Sequence, residues 1–250
     1  IYTSQYTLSL HDALPIWKFN FDVGAIPTEL PLEARKRGGF RAWETTHLTG
    51  GLIDPREYFE DHPEWFALVD GERQRAPDDR RHYQQFCTTN EALIDEVAAK
   101  LGALFDAHPQ FEFLPITQGD GTDFCECEDC RALDTDDEWH GGSKRRKKAR
   151  PQIESRGERT KPVLTERWLT FVNEIARRLR ETHPDKQLYT LAYHQTFRPP
   201  DPAELTPEPN VMIRLVNSRP NYLCLVHELG RPDCPNHARF REGLAEWDEI

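Results

Sequence analysis

The sequence predicts an α/β fold, a (β/α)8 TIM-barrel-like architecture that is incomplete in this fragment. Three observations predict it. Short β-rich runs alternate with helical patterns along the chain. The pairs His62-Pro63, His108-Pro109 and His183-Pro184 each follow a helical pattern and precede an extended run. A histidine in a last turn suits the negative end of a helix, and proline stops it, so these histidines read as helix stops and not as ligands. Repeated units of this kind need parallel strands joined by crossover helices. No GxGxxG follows a candidate strand, which makes an open doubly wound sheet the second choice. About five candidate strands are present, fewer than a barrel's eight.

In chain order, Trp17–Phe21 and Gly39–His47 read as strands, the second by alternation. Asp54-Pro55-Arg56-Glu57 starts a helix, with Asp as cap and Pro in the first turn. Phe66–Val69, Asp70-Gly71 and Glu72–Gln74 read as a hairpin with a two-residue turn. Asn90 caps a helix whose apolar face is Leu93, Val97, Leu101 and Leu104. Phe111–Thr117 is the next strand. Thr165 starts a helix with Trp168, Val172, Ile175 and Leu179 on one face. Strands follow at Gln187–Tyr193 and Asn210–Val216, and Asn236 opens a last helix carrying Phe240, Leu244 and Trp247. Residues 134–161 break the rhythm. They are polar, contain Lys144-Arg145-Arg146-Lys147-Lys148, and read as a solvated insertion.

Residues 7–16 spell TLSLHDALPI, which resembles the translation of a short-read sequencing adapter. Residues 1–16 are therefore expected to be an assembly artefact, leaving 17–250 as the partial barrel. On that reading the native N-terminus, and any signal peptide, lies upstream of what the sequence records. The 250 residues carry a net charge of -11, with a mean hydropathy of -0.76. That acidity argues against a nucleic-acid partner. No apolar run approaches the roughly 20 residues of a membrane helix.

In a parallel barrel, chemistry sits at the C-terminal ends of the strands. That rule selects Glu44 and His47 from one strand, Gln118, Asp120 and Asp123 from another, Tyr193 and His194 from a third, and Arg214 and Asn217 from a fourth. Asp120 lies between two glycines, which permit a sharp turn and close approach of a ligand. A carboxylate there can bind sugar hydroxyls or act as acid or base, or it can be an ordinary turn residue. Trp43, Tyr193 and Tyr222 could stack on the apolar faces of sugar rings or belong to the core. The run GDGTDFCECEDC brings Cys125, Cys127 and Cys130 close together, and Cys87 is the expected fourth. Four thiolates would make a closed structural zinc site, and two disulfides would hold the loop equally well. The two readings stay open. A nucleophilic cysteine is disfavoured, because no basic neighbour is expected near the thiols to lower a pKa, and Glu126, Glu128 and Asp129 would raise it.

Several segments together carry a family resemblance. They are His62-Pro63-Glu64-Trp65-Phe66-Ala67-Leu68 with Asp70-Gly71-Glu72-Arg73, and Phe86-Cys87-Thr88-Thr89-Asn90. Gly119-Asp120-Gly121 with the cysteine loop 119–130 follows, then Leu191-Ala192-Tyr193, Pro199-Pro200, Pro209-Asn210-Val211 and Cys234-Pro235-Asn236. This set resembles the bacterial family called domain of unknown function 4838, which is similar to barrel-core glycoside hydrolases, notably the α-glucuronidase and hexosaminidase groups. The resemblance spans about Phe40 to Trp247. It implies a barrel, a carbohydrate partner and an exported polysaccharide-degrading enzyme. Two features depart from the family pattern: Gln118 stands where Asn is expected before the Asp, and the basic insertion is unusual.

The function expected is hydrolysis of an oligosaccharide or polysaccharide by two carboxylates, roughly 5 Å apart for retention or about 6.5–9.5 Å for inversion. Asp120 is the first candidate, Glu44 and Asp123 are weaker, and the partner carboxylate is expected beyond Ile250. His47, Tyr193 and His194 would position hydroxyls, with Trp43, Gln118 and Arg214 as further binding residues. No cofactor is expected for catalysis. The alternative is a non-catalytic glycan-binding module on the same scaffold. A metal-dependent hydrolase using His47, Asp120 and His194 ranks last, because their spacing carries no metal motif.

Overall fold

The computed structural model of the chain describes residues 48–139, 161–216 and 235–250. The expected strands Trp17–Phe21 and Gly39–His47 lie outside them, as do residues 1–16, the basic run 144–148, Asn217, Tyr222, Cys224 and Cys234.

Among the described residues two short helices come first, α1 (Leu48–Leu52) and α2 (Pro55–Tyr58). Asp54 caps α2 by accepting from the backbone N–H of Arg56 at 2.9 Å, and the Arg56 guanidinium closes on the same carboxylate at 2.6 Å. A 3-10 turn over Pro63–Trp65 leads into the hairpin of β1 (Leu68–Val69) and β2 (Glu72–Arg73). Its pairing is Leu68 with Arg73 and Val69 with Glu72. The turn is the expected Asp70-Gly71, with φ of 51° and 83°. Two positive φ values in succession are what a type I′ turn requires.

After a second 3-10 segment, Asp78–Tyr83, comes α3 (Glu91–Ala107). Asn90 caps it, its side-chain oxygen accepting from the Leu93 N–H at 3.0 Å. Next are β3 (Phe113–Pro115), the short α4 (Glu128–Ala132), β4 (Thr135–Trp139), β5 (Lys161–Val163) and α5 (Thr165–Thr182). The chain then gives β6 (Gln187–Ala192), a 3-10 turn His194–Thr196, β7 (Val211–Leu215) and α6 (Pro235–Asp248).

Strands β3, β6 and β7 form one parallel sheet in that order. The order follows the chain, with the β4–β5 pair outside this sheet. Among the described residues the sheet does not close. α3 and α5 pack together, and α5 also lies on β6 and β7. Between helices and sheet sits the main core, with Leu93, Val97, Leu101, Phe105, Leu114, Phe171, Val172, Ile175 and Leu188 all at or below 1 % exposure. Buried Asn173 and Asn210 tie the loop before β7 to α5, through bonds to Thr206 O at 2.8 Å and Ala176 O at 3.0 Å.

The His-Pro stops behave as expected. His108 and His183 end α3 and α5, with backbone N–H groups returning to Leu104 O and Leu179 O. His62 shares their backbone geometry, with φ of -135° against -133° and -131°. One expectation is corrected. The polar insertion is not loop at both ends, because β4 and β5 pair antiparallel across it, with a register shift between Thr135 and Glu138.

Candidate functional site

The parallel register sets the C-terminal ends of β3 and β6 side by side. Ile116 extends the pairing by donating to Tyr189 O at 2.8 Å. The loops beyond these ends, 118–124 and 193–196, enclose a cleft of about 90 Å³ lined by Gln118, Asp120, Thr122, Phe124, Tyr193 and His194, among others. Ligand pockets of drug size hold roughly 300–1,000 Å³, so a ligand would rest on this rim and not be swallowed by it.

Across the cleft the Tyr193 hydroxyl donates to Asp120 Oδ1 at 3.1 Å. Burial pushes the Tyr193 phenol up to about 12, and the neighbouring Asp120 carboxylate adds to the shift by charge and by its hydrogen bond. Tyr193 is therefore a neutral donor at any physiological pH. The His194 ring stands edge-on to it, with centroids 3.9 Å apart. His194 has φ of 50°, a left-handed conformation that costs a non-glycine residue about 1–2 kcal/mol. Thr196 holds the turn, its hydroxyl accepting from Tyr193 N–H at 3.2 Å.

The two glycines beside Asp120 do a different job from the one expected. A Cβ on Gly119 would lie 2.2 Å from Gln84 O, and one on Gly121 would lie 2.4 Å from Tyr83 O. The close approach is made by the chain's own 82–85 segment. Asp120 N–H donates to His82 O at 2.7 Å, and the Gln85 amide donates to both Gly119 O and Gly121 O at 2.8 Å. The carboxylate is thus presented from a turn clamped from behind.

Of the expected site residues, Asp120, Gln118, Tyr193 and His194 meet at this cleft. Gln118 is 4 % exposed, and its amide nitrogen holds the Thr196 hydroxyl at 2.9 Å, so it braces the loop as well as lining the cleft. Asp123 is exposed and outside the lining, as is Arg214 on β7. Trp43, Glu44 and His47 lie outside the described residues. Sequence reasoning passed over Gln85, Phe124 and Thr196. Tyr83, exposed at 42 %, was missed too, although the turn rests on its backbone.

The second constellation adjoins the first. Cys87, Cys125, Cys127 and Cys130 are free thiols, and their sulfurs all lie within 4.8 Å of one another. Cys87 Sγ is 3.7 Å from Cys127 Sγ and 3.9 Å from Cys130 Sγ. A tetrahedral ion with sulfur ligands at about 2.3 Å separates them by about 3.8 Å, so the cluster could hold a metal ion. Donors surround it: Leu68 N–H at 3.4 Å from Cys125 Sγ, and the Thr89 and Thr88 hydroxyls at 3.3 and 3.5 Å from Cys130 Sγ. Hydrogen bonds from Cys125, from Cys87 and from these hydroxyls pull the Cys130 thiol well below its ordinary range. The expectation of no cation near the thiols is corrected: Arg73 Nη1 lies 3.9 Å from Cys125 Sγ. Buried Arg167 donates to Cys125 O at 2.7 Å and pairs with Asp134 at 2.5 Å. This is the one cluster of three or more metal-binding side chains among the described residues, and Asp120 and His194 belong to none.

A family model described as Domain of unknown function (DUF4838) matches residues 18–250, so the chain belongs to that family. No curated protein matches the chain, and no solved structure does.

Proposed function

We propose that this member of the family is part of a carbohydrate-active hydrolase on a (β/α) barrel, acting outside the cytoplasm on an oligosaccharide or polysaccharide. The observation that carries the reading is the Asp120–Tyr193 pair, a carboxylate and a neutral phenol presented together at the C-terminal ends of two parallel strands. That edge is where barrel enzymes keep their chemistry. Asp120 would bind hydroxyls or serve as one of the two carboxylates of glycoside hydrolysis. Tyr193 and His194 would orient the ring. Export and the barrel itself rest on the family resemblance.

A second reading has its own support. Asp120 is the only carboxylate lining the cleft among the described residues. A cleft with one carboxylate suits glycan binding without turnover. The four cysteines, on either reading, are assigned a structural zinc. Tetrahedral sulfur spacing fits it, and a closed four-thiolate site leaves no open position for a substrate.

The test is a screen of the full chain against a panel of polysaccharides, with product release and direct binding measured in parallel. Asp120→Asn is expected to abolish turnover by at least 100-fold if hydrolysis is the function. Binding without product in the wild type supports the module. Neither product nor binding on any glycan overturns both.

A further inference from the structure

We propose that the metal at the four-cysteine centre is a clamp for the Asp120 turn, so that ligand binding in the cleft is linked to metal occupancy. The inference rests on the zinc and cleft assignments above and adds a coupling between them.

Two chain segments build the cleft's Asp120 side. One is 118–124, which carries the turn. The other is 82–86, against which the turn leans through His82 O, the Gln85 amide and the bare contacts at Gly119 and Gly121. Each segment runs directly into a metal ligand. Cys87 follows Phe86, and Cys125 follows Phe124, itself a cleft residue. The two segments therefore form a ladder with two side-chain rungs beside the backbone bond from Asp120 N–H to His82 O. The Gln85 side chain is one rung, and an ion shared by Cys87 and Cys125 is the other. A third segment is stitched to both. Phe66 bridges Phe86, Cys87 N–H donates to Trp65 O at 2.9 Å, and Glu126 N–H donates to Leu68 O at 2.7 Å.

The packing separates this knot from the rest. The buried cysteines and Ala67 make their own cluster, with Leu68 and Val69 against it, distinct from the main core. Thiols offer only weak hydrogen bonds to one another. A satellite with so little buried hydrocarbon sits at the low end of local stability. An ion binding four sulfurs from two stretches of chain, at 87 and 125–130, replaces those weak contacts with coordinate bonds. Releasing it is expected to free the turn while the parallel sheet stays folded. Linkage makes the effect reciprocal: a ligand that needs the turn in place raises zinc affinity by the same factor that zinc raises ligand affinity.

Hydrogen exchange with mass spectrometry tests this on the full chain, zinc-loaded and after zinc withdrawal by a chelator under reducing conditions, with metal content verified. Exchange over 83–87 and 119–126 is expected to accelerate at least tenfold on withdrawal, while 93–105 and 188–192 hold their rates. Unchanged protection at the turn overturns the clamp. So does loss of protection everywhere at once, which makes zinc a general stabiliser, and so does failure to take up zinc. Gln85→Ala cuts the other rung. In the zinc-loaded variant, exchange at 119–121 is expected to rise at least tenfold with one zinc per chain retained, and no rise overturns the ladder. The readout needs no carbohydrate. A chain that passes here and binds no glycan loses the glycan reading alone; one that takes up zinc and binds glycan but keeps its turn protection on withdrawal loses the clamp alone; and one that takes up no zinc loses the zinc assignment with it.

Discussion

Tyr193 and Asp120, 73 residues apart in sequence, share a hydrogen bond of 3.1 Å at the adjoining ends of β6 and β3. The phenol stays protonated because its anion would face burial and a nearby carboxylate.

The first prediction concerns that phenol. In Asp120→Asn the charge and the charged acceptor are gone while burial remains. The Tyr193 pKa is expected to fall from about 12 part of the way to its ordinary 10.0. Ring NMR titration of Tyr193 measures it. The sign for stability follows, because the folded-state value is raised. The contribution is complete below pH 10 and is lost as pH rises from there towards 12. In Asp120→Asn that alkaline loss is expected to narrow, and a wild-type Tyr193 titrating at its ordinary value would refute the pairing.

The turn glycines give the second. Gly119→Ala puts a methyl 2.2 Å from the backbone oxygen of Gln84, which cannot swing aside as a side chain could. Relieving the clash must displace the Asp120 turn from the 82–85 segment. A loss of about 1–3 kcal/mol is expected in denaturant unfolding, together with loss of any Asp120-dependent activity. An alanine variant of full stability and activity would show that the two segments are not in contact.

The helix–sheet interface gives the third. Trp168 on α5 donates its indole N–H to the Thr190 hydroxyl of β6 at 2.7 Å, in the buried interior. Thr190→Val keeps the shape and strands the donor, at a cost of about 1–3 kcal/mol. Ile175→Ala, at a fully buried position, is expected to cost about 2–5 kcal/mol. By contrast Arg178, which joins Asp95 on α3 to Glu174 on α5 at the surface, is worth about 1 kcal/mol or less, and less in high salt. Equilibrium denaturation should rank Ile175→Ala as the most costly, Thr190→Val next and Arg178→Ala least.

These interfaces were legible where a short-range pattern encodes them. Periodicity placed Leu93, Val97 and Leu101 on one face of α3, and Trp168, Val172, Ile175 and Leu179 on one face of α5. Asp-Gly fixed the hairpin, and His-Pro fixed the ends of α3 and α5. The β4–β5 ribbon was not legible. Thr135–Trp139 is acid-rich without alternation, and its partner lies beyond a long insertion. α1 carries two glycines and no amphipathic signal. At the site, the glycines flank the carboxylate that lines the cleft, yet the sequence suggested that they face a ligand, and they face the chain. Contacts between distant residues decide such matters, and periodicity does not report them. Arg73 beside Cys125, 52 residues away, is the same case.

Arg73 carries the last prediction. On the zinc assignment proposed above, four thiolates around a divalent ion leave two net negative charges in a largely buried place, which needs cations and N–H donors nearby. Arg73 supplies both, with Nη1 at 3.9 Å from Cys125 Sγ and 2.7 Å from Phe66 O, which fixes the guanidinium in position. Arg73→Leu keeps the apolar stem against the hairpin and removes the charge. Zinc affinity is expected to drop about 10–100-fold, the usual scale for partners just outside the ligand shell. Competition with a chromophoric chelator measures it. Cobalt(II) in place of zinc reports the geometry separately, and its visible ligand-field bands should keep their tetrahedral four-thiolate form in Arg73→Leu. In Cys127→Ser those bands are expected to shift as one sulfur is lost. A variant at Arg73 with unchanged zinc affinity would leave the charge of the centre balanced by something other than this guanidinium.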